Sequence, residues 1–305
     1  MTTPRCSRRP DIKHIIITGA NKGIGLATSA AVLDARQDVA VLLGSRDIGR
    51  GEAAVDSLCA GHPERQARVQ LLPVDVASDA SVAAARERVR ARLDDTGGEL
   101  HALINKAGTG FGSADLAGVV NVNTCGPKRL CDAFLPLIAP GGRIINVSSA
   151  SAPNFVSQCA PSRQAFFRDR SLDWDAVADL NEQAVAAGDD PSRLQQLGLG
   201  VMNAYGFSKA CLSLYTVILA QQHPGLYINA CTPGYIETDM TRPAALQRGV
   251  SPASLGMKPP AEGTRSILHL LFRDDPDSGH YYGSDARRSP LDRYRAPDTP
   301  AFQGD

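Results

Sequence analysis

Short apolar runs alternate with segments of helical pattern through the first half of the chain, and this alternation limits the fold more than any other feature. The runs are apolar on both faces, as expected of strands that helices cover on both sides of a parallel sheet. Because crossovers between parallel strands are right-handed, the pattern predicts an α/β fold with a doubly wound parallel sheet and a ligand site at the carboxyl ends of the strands. The predicted strands are 12–17, 39–43, 69–74, 102–105 and 143–147, and the helices between them are 23–36, 47–58, 80–93 and part of 115–137.

The alternation stops after Ser149 and resumes near Ala204. Residues 151–203 are rich in Asp, Arg, Gln and Ala and are too weakly apolar to form a core of their own, so we interpret them as an insertion into a single domain at 12–287. Within the insertion, 172–187 has the spacing of an amphipathic helix. Beyond it we expect a helix at 204–222, a strand at 227–231, a helix at 261–272 and a short strand near Tyr281 and Tyr282.

Composition argues against nucleic-acid binding, an anionic membrane partner and a metal site. The 305 residues carry 32 Lys+Arg and 32 Asp+Glu, and this zero net charge gives no indication of nucleic acid or an anionic membrane as a partner. The seven cysteines include no Cys-x-x-Cys pair and the six histidines form no ligand cluster, so we expect free thiols and no metal site. With no secretory signal or membrane-spanning run, we expect a cytoplasmic protein. Residues 1–11 and 288–305 are predicted to be flexible ends.

A glycine-rich turn, Thr18-Gly-Ala-Asn-Lys-Gly-Ile-Gly25, follows the first predicted strand and opens the first predicted helix. Glycines let the backbone turn sharply and approach a diphosphate, and the helix N-terminus supplies free N–H groups and partial positive charge. The spacing differs from the usual dinucleotide fingerprint, but the strand before it and the helix after it favour a dinucleotide site over an ordinary loop. The predicted contacts are Gly19, Asn21, Lys22, Gly23, Ile24 and Gly25.

The end of the second strand indicates which dinucleotide is bound. Enzymes that use NAD place an acidic residue there for the ribose 2′-OH, whereas a 2′-phosphate requires cations. Here the strand ends at Arg46, whose planar guanidinium suits a phosphate, and Lys22 and Arg50 could reach the same place. Three solvated surface cations are the alternative interpretation. We predict NADP(H).

A second motif, Tyr205-Gly-Phe-Ser-Lys209, lies on a predicted helix, where residues four apart share one face. A free phenol titrates near ~10, and an ammonium group beside it lowers that pKa. Most such pairs in proteins lie on the surface. The position of this pair after the fifth strand of a dinucleotide-binding fold instead favours a role in proton transfer.

Together these motifs resemble those of the short-chain dehydrogenases/reductases, over most of the chain. The long gap between Ser149 and Tyr205, with Arg46-Asp-Ile-Gly-Arg50, is most similar to the monomeric carbonyl reductase subgroup, which includes plant terpenoid and alkaloid reductases. The resemblance implies a Rossmann fold and NADPH-dependent reduction of an aldehyde, ketone or quinone. The shared motifs, in the family's order, are the glycine-rich turn, Asn105-Lys-Ala-Gly108, Asn146-Val-Ser-Ser149, Tyr205-x-x-x-Lys209 and Pro233-Gly234.

The resemblance also implies a role for each matched residue. Tyr205 would give a proton to the carbonyl oxygen, and Ser149 would orient that oxygen. Lys209 would contact the nicotinamide ribose and lower the pKa of Tyr205, while Asn123 would hold a water for proton relay. The other implied cofactor contacts are Asp75 and Val76 at the adenine, Asn105, Ala107 and Gly108 after the fourth strand, and Pro233, Gly234 and Thr238 beside the carboxamide.

Three features depart from the family pattern. Lys106 replaces an asparagine and could form a salt bridge, lie near a phosphate or face solvent. The stretch 107–123 is shorter than expected, which affects the geometry around Asn123. Ser148 is an adjacent alternative to Ser149, although the family pattern favours the second serine.

The insertion leads to a prediction about assembly. In many relatives the helices around the catalytic segment build a tetramer interface, and an insertion there would cover it, so we predict a monomer. The aromatic residues of the insertion could close over the substrate, but we favour packing of the insertion onto the body. These residues are Phe155, Phe166, Phe167 and Trp174.

Two other functions remain open at this point. An NADP-binding sensor without catalysis is disfavoured, because such proteins usually lack the Tyr/Lys pair. Reduction of an enone double bond, as in some relatives, is disfavoured by the presence of Tyr205.

Overall fold

The computed structural model describes residues 12–110 and 115–304. Its strands are β1 (Lys13–Thr18), β2 (Val39–Ser45), β3 (Val69–Pro73), β4 (Glu99–Asn105), β5 (Ile138–Val147), β6 (Tyr227–Cys231), β7 (Tyr281–Tyr282) and β8 (Arg288–Ser289). Its α-helices are α1 (Gly23–Ala35), α2 (Ile48–Cys59), α3 (Asp79–Thr96), α4 (Leu116–Val120), α5 (Gly126–Phe134), α6 (Ser151–Val156), α7 (Pro161–Phe166), α8 (Trp174–Ala187), α9 (Pro191–Gln196), α10 (Ala204–Gln222), α11 (Arg242–Gln247) and α12 (Arg265–Phe272). A π-helical turn, Asn121–Cys125, joins α4 to α5.

The eight strands form one sheet in the order β3-β2-β1-β4-β5-β6-β7-β8, parallel as far as β7. This confirms the predicted doubly wound α/β fold. The strand order reverses between β1 and β4, and such a reversal opens a crevice at the carboxyl ends of the strands. The antiparallel edge strand β8 was not predicted.

The middle of β1 shows how the sheet is covered. Ile15 and Ile17 enter one core cluster and Ile16 enters the other, and all three side chains are fully buried. Because successive side chains of a strand point to opposite faces, helices must cover both faces, as the uninterrupted apolar run predicts.

Helix α10 is buried along nearly its whole length because it lies between the sheet and the insertion. Asn203 caps its first turn by accepting a hydrogen bond from Gly206 N at 3.0 Å. A Cβ at Gly206 would stand 3.0 Å from Phe155 Cβ, so glycine allows the insertion to approach closely. The predicted amphipathic helix of the insertion is α8, whose Val177 and Leu180 join a core cluster with α10.

The aromatic side chains of the insertion pack onto the body, as we favoured. Phe155 and Phe167 are buried beside α10 in the core cluster that the insertion forms with that helix. The edge-to-face ring pairs are Phe155–Phe167, Phe155–Phe207, Phe166–Phe167 and Trp174–Tyr215.

The C-terminal segment differs from the flexible tail that the sequence predicts for 288–305. It begins with β8, which pairs with β7, and Phe302 N later donates to Arg288 O at 2.9 Å. Arg295 forms a buried ion pair with Asp285. The sequence shows only the charges and prolines of this segment, and no local pattern indicates that Arg295 pairs with Asp285. The predicted flexible N-terminus at 1–11 lies outside the described residues.

The chain segments 12–110 and 115–304 contain no helix that is both long and apolar enough to cross a membrane.

Candidate functional site

The glycine-rich turn lies directly against the end of β4. Gly19 has φ +63°, and a Cβ there would stand 2.8 Å from the Cα of Ala107. Gly25 packs against the carbonyl oxygen of Gly19, where a Cβ would also collide. Side chains are excluded on steric grounds, so the backbone of the turn and the N-terminus of α1 are open to a ligand. Ile24 is buried behind this turn, and Asn21 and Gly23 are half-buried within it.

Lys106 extends from the end of β4 toward the same turn. Its backbone N–H and that of Ala107 both donate to Thr18 Oγ1 at 3.0 Å, which fixes the main chain here. Its Nζ donates to Gly19 O at 3.4 Å, and it forms no ion pair with any described residue. Burial first, and then the charge of Lys22, lower the pKa of Lys106 to about 8. Of the three predicted alternatives, the structure excludes the salt bridge.

Lys106 contributes to a cavity of about 500 Å³ that we call the lysine cavity. It lies at the carboxyl ends of β1, β4 and β5, where the topology places a ligand site. A salt bridge between Lys22 Nζ and Asp239 Oδ2 at 2.6 Å joins the glycine-rich turn to the loop after β6. The lining residues are Lys22, Gly23, Ile24, Lys106, Gly108, Thr109, Gly110, Val147, Ser148, Tyr205, Lys209, Pro233, Glu237, Thr238, Asp239, Met240, Arg242, Pro243 and Pro260.

Tyr205 and Lys209 both line this cavity, one helical turn apart on α10. Lys209 Nζ donates to Val147 O at 2.8 Å and lies 5.9 Å from the centroid of the Tyr205 ring. Burial first, and then the like charge of Lys106, lower the pKa of Lys209 to about 7. Burial raises the pKa of Tyr205, although a hydrogen bond with Ser149 opposes that shift. Desolvation of the phenol therefore dominates this shift, and the expected lowering of the Tyr205 pKa by Lys209 stays a prediction.

The two adjacent serines at the end of β5 have different partners. Ser149 is hydrogen-bonded to the Tyr205 hydroxyl, and its Oγ accepts from Ser151 N at 3.1 Å. Ser148 Oγ is buried and bonds Lys209 O at 3.1 Å and Ser213 Oγ at 2.8 Å. The structure thus brings Ser149 to Tyr205 and gives Ser148 interior partners.

Asn123 lies in the π-helical turn, a feature that often marks functional sites. Its carboxamide accepts from Thr109 N at 2.9 Å, and donates to Thr109 O at 2.8 Å and Ser208 Oγ at 3.0 Å. A Cβ on Gly108 would lie 3.1 Å from Asn123 Oδ1 and 3.6 Å from Lys209 Nζ, so both polar groups approach Gly108. Within the short segment 107–123, residues 111–114 lie outside the described residues.

A second cavity, of about 460 Å³, lies on the other side of Ser149, and we call it the polar cavity. Ser149 lines the polar cavity, Tyr205 lines the lysine cavity, and Pro233 lines both. The hydrogen-bonded Ser149–Tyr205 pair therefore lies at the boundary between them. The remaining walls come from the start of α6, the loop after β6 and the residues that follow β7, including Tyr294, Arg295, Pro297 and Asp298.

The three cations predicted to hold a 2′-phosphate do not form one cluster: the two arginines follow β2, and the lysine pairs with the loop after β6. Arg46 is exposed at the end of β2, and Arg50 Nε donates to Asp47 Oδ2 at 2.9 Å. Both arginines lower the pKa of Asp47, although the amide of Arg50 does so most. Lys22 instead pairs with Asp239, and Arg46 forms no ion pair with any residue in 12–110 or 115–304.

Other predicted contacts also occupy definite positions. Val76 is buried against Gly126, and Asp75 Oδ1 accepts from Ala77 N at 3.0 Å. Gly234 has φ +93°, and Thr238 Cγ2 lies 3.4 Å from where a Cβ on Gly23 would stand, so the loop after β6 meets the glycine-rich turn. Asn105 points into the interior.

Asn105 connects β4 to β5 through side chains. Its Nδ2 donates to Asn146 Oδ1 at 2.8 Å, and Asn146 Nδ2 donates to Thr216 Oγ1 at 2.8 Å. The Asn105 carboxamide is thus part of a buried network, and the structure does not bring it to the cavity lining.

Two features of the site were missed in the sequence. No motif surrounds Asp239, and the charges and prolines of the C-terminal segment predict a loose tail. Charge alone gives no signal, because Asp239 pairs with a residue far away in sequence and Arg295 is one of several arginines near Asp285. Across 12–110 and 115–304, no group of three His, Cys, Asp or Glu side chains could hold a metal ion.

The chain is similar to known proteins in both sequence and fold. The family model described as short chain dehydrogenase matches residues 13–161. Carbonyl reductase (NADPH) 1 of Homo sapiens is 31% identical over 279 residues, covering 87% of this chain and 93% of that protein. The (+)-neomenthol dehydrogenase of Arabidopsis thaliana is 28% identical over 300 residues, covering 88% and 95%. Among solved structures, salutaridine reductase from Papaver somniferum has a TM-score of 0.72 at 22% identity, with 88% of this chain and 99% of that chain covered, which is a likeness of fold.

Proposed function

The chain belongs to the short chain dehydrogenase family, and from this premise we propose that it reduces a carbonyl group to an alcohol with NADPH. The observation that carries the proposal is the Ser149–Tyr205 pair at the boundary of two cavities. One cavity has the glycine-rich turn and the lysines that suit a dinucleotide. The other offers polar groups to a second reactant.

The lysine cavity fits NADPH on steric and electrostatic grounds. Gly19 and Gly25 leave a backbone cradle that a Cβ would fill, at the N-terminus of α1. Lys22 and Lys106 would meet the diphosphate and Arg46 the 2′-phosphate. When bound, NADPH supplies the hydride that reduces the carbonyl carbon.

The side chains at the boundary would handle the proton. Ser149 would donate a hydrogen bond to the carbonyl oxygen, and Tyr205 would give its hydroxyl proton to that oxygen. A phenol carries its proton at neutral pH, so Tyr205 has a proton to give. Burial raises its pKa and makes it a weaker acid, which a nearby positive charge would have to offset. Lys209, in its protonated form, would stabilise the phenolate that remains.

Asn123 would position the loop beside this centre. Its carboxamide holds both backbone groups of Thr109, and Gly110 lies against the ring of Tyr205. The water that the family resemblance assigns to Asn123 would lie near Gly108, where Asn123 and Lys209 converge.

A panel of aldehydes, ketones, quinones and enones, followed by the loss of NADPH absorbance, tests the proposal. We expect steady turnover with some saturated carbonyls, and an alcohol as the product. A protein that binds NADPH but turns over no member of the panel would favour the sensor. An enone product that keeps its carbonyl and loses its double bond would favour the double-bond reductase.

We further propose a cytoplasmic monomer without nucleic-acid partners. The support is that α6 and α8 cover the face of α10 that points away from the sheet, leaving α10 buried within one chain. Sedimentation equilibrium should give a mass near the 32.3 kDa of one chain. A stable tetramer would contradict this proposal.

A further inference from the structure

One wall of the polar cavity is built by a segment that belongs to none of the cofactor or catalytic motifs. Tyr294, Arg295, Pro297 and Asp298, which we call the C-terminal wall, all line this cavity. Tyr294 is about half exposed and is among the residues that line this cavity. The wall follows β8 and returns across the carboxyl end of the sheet, where β6 and β7 end.

A buried ion pair holds the C-terminal wall in place. Arg295 Nη2 bonds Asp285 Oδ1, and the two side chains are only 8% and 1% exposed. Arg295 also donates to Ser289 Oγ at 2.9 Å and to Thr299 O at 2.9 Å. The second carboxylate oxygen of Asp285 accepts from Asp298 N at 2.9 Å. We call Asp285 and Arg295 the clamp, because they join the turn after β7 to both ends of the wall.

The clamp remains ionised at neutral pH. Burial alone would raise the pKa of Asp285, but hydrogen bonds from Arg295 and from two backbone amides outweigh it and hold the pKa below its usual value. A buried charge pair with this many satisfied bonds fixes one geometry, since breaking it would leave an uncompensated charge.

The polar cavity has no net charge but many hydrogen-bonding groups. Lys258 pairs with Glu262 at 3.1 Å, the clamp is neutral overall, and the remaining Arg265 and Asp298 have opposite signs. Such a lining offers hydrogen bonds without selecting an anion or a cation. Residues with hydroxyl groups on the lining are Ser149, Ser151, Thr232, Tyr235, Tyr281, Ser284, Ser289 and Tyr294.

We propose that the C-terminal wall, held by the Asp285–Arg295 clamp, selects neutral carbonyl compounds that carry hydroxyl groups over apolar carbonyl compounds of the same size. The inference rests on the proposed carbonyl reduction and names its substrate class. A site built from hydrogen-bonding groups discriminates against an analogue that lacks the matching group, because buried polar groups are then left unpaired. Arg295 and Asp285 are positioning residues here, and Tyr294 is the side chain that they present.

The test uses a matched pair of ketones, 1-hydroxybutan-2-one and pentan-3-one, which differ by a hydroxyl in place of a methyl group. The variant Arg295→Met breaks the clamp. The control Arg287→Met removes an exposed arginine of the same segment, which bonds Thr299 O at 3.1 Å and does not line the cavity. The intrinsic reactivities of the ketones differ, but they cancel when the ratio of kcat/KM values is compared between variants.

We expect Arg295→Met to lower the preference for the hydroxyketone by about fivefold or more, mainly through KM, with NADPH affinity unchanged. Arg287→Met should keep the wild-type ratio. Tyr294→Phe, which leaves the clamp intact and removes one hydroxyl, should lower the ratio in the same direction and covers the case in which Arg295→Met does not fold. An unchanged ratio in Tyr294→Phe, or equal ratios in Arg295→Met and Arg287→Met, would overturn the proposal.

Measuring ketone binding separately from turnover distinguishes the proposed selectivity of the wall from the proposed carbonyl reduction. Saturation-transfer NMR of both ketones with wild type, Tyr294→Phe and Arg287→Met, in the presence of NADP⁺, reports selectivity without catalysis. If no ketone is reduced but the hydroxyketone binds preferentially and Tyr294→Phe removes that preference, carbonyl reduction fails and the selective wall stands. If both ketones are reduced and bind without preference, the wall fails and carbonyl reduction stands.

Discussion

The lysine cavity and the polar cavity meet at one hydrogen bond but are built in different ways. The lysine cavity depends on backbone: it is lined by Gly23, by the residues that follow β1, β4 and β5 and by the start of α1, and Gly19 and Gly25 leave no room for a Cβ in the same turn. The polar cavity depends on side chains, because a clamp between residues 285 and 295 decides where its outer wall lies. We infer that the proposed cofactor binding and proton transfer are tied to the fold, whereas substrate choice can change with a few side-chain pairs such as the buried clamp.

The boundary residue Tyr205 gives the largest expected effect. Tyr205→Phe removes the hydroxyl and leaves the ring that lines the lysine cavity, so NADPH affinity should change little. We expect kcat to fall by roughly 10²–10⁴-fold, the usual contribution of a general acid. Stopped-flow turnover and NADPH fluorescence titration measure the two quantities.

Tyr227→Phe is the matched control for this variant, because it removes a phenol hydroxyl from β6, away from the boundary. It should keep wild-type turnover. Near-full activity in Tyr205→Phe would show that the assigned proton donor is wrong.

The two serines sharpen the comparison at the same boundary. Ser149→Ala should lower kcat by about 10²-fold, as loss of a hydrogen bond to a developing oxyanion does. Ser148→Ala should retain most activity and instead lower the free energy of unfolding by about 1 kcal/mol, since its hydroxyl bonds only interior groups. Kinetics and urea denaturation of both variants test this, and the reverse pattern would assign the role to Ser148.

The same contrast explains what could be predicted from the sequence. The fold and the glycine-rich turn follow from local patterns, since apolar runs, glycine positions and an i, i+4 spacing depend on neighbours in the chain. The C-terminal wall could not be predicted, because Arg295 and Asp285 are single charges whose pairing depends on how β7 and β8 return. The direction of the pKa shift of Tyr205 was also beyond the sequence, which does not contain the extent of burial.

Arg46 tests the proposed contact with a 2′-phosphate at the end of β2. Arg46→Asp should weaken NADPH binding by about 10–100-fold, the loss of one charge-assisted contact, and should affect NADH much less. Arg90→Asp on α3, also an exposed arginine, is the control and should change neither affinity. Titration with both cofactors decides the question, and equal losses for NADPH and NADH would mean that Arg46 does not meet a 2′-phosphate.

Replacing Lys106 should give the smallest loss of activity of the variants considered. The replacement separates the electrostatic from the steric contribution of this side chain to the lysine cavity. Its charge is the second cause, after burial, of the low pKa of Lys209, about 7. Lys106→Met preserves the length of the side chain and removes the charge, so the pKa of Lys209 should rise. Because the ammonium form of Lys209 is the active one in our proposal, activity should be lost at higher pH in the variant than in wild type. The pH profile of kcat/KM reports the free enzyme and measures this shift directly.

At pH 6, Lys209 is charged in both the wild type and the variant. Any loss of NADPH affinity that remains in the variant at this pH reports the proposed contact of Lys106 with the diphosphate, and that loss should shrink as salt is added. A variant whose profile coincides with that of wild type would show that Lys106 and Lys209 titrate independently, and the low pKa of Lys209 would then be an effect of burial alone.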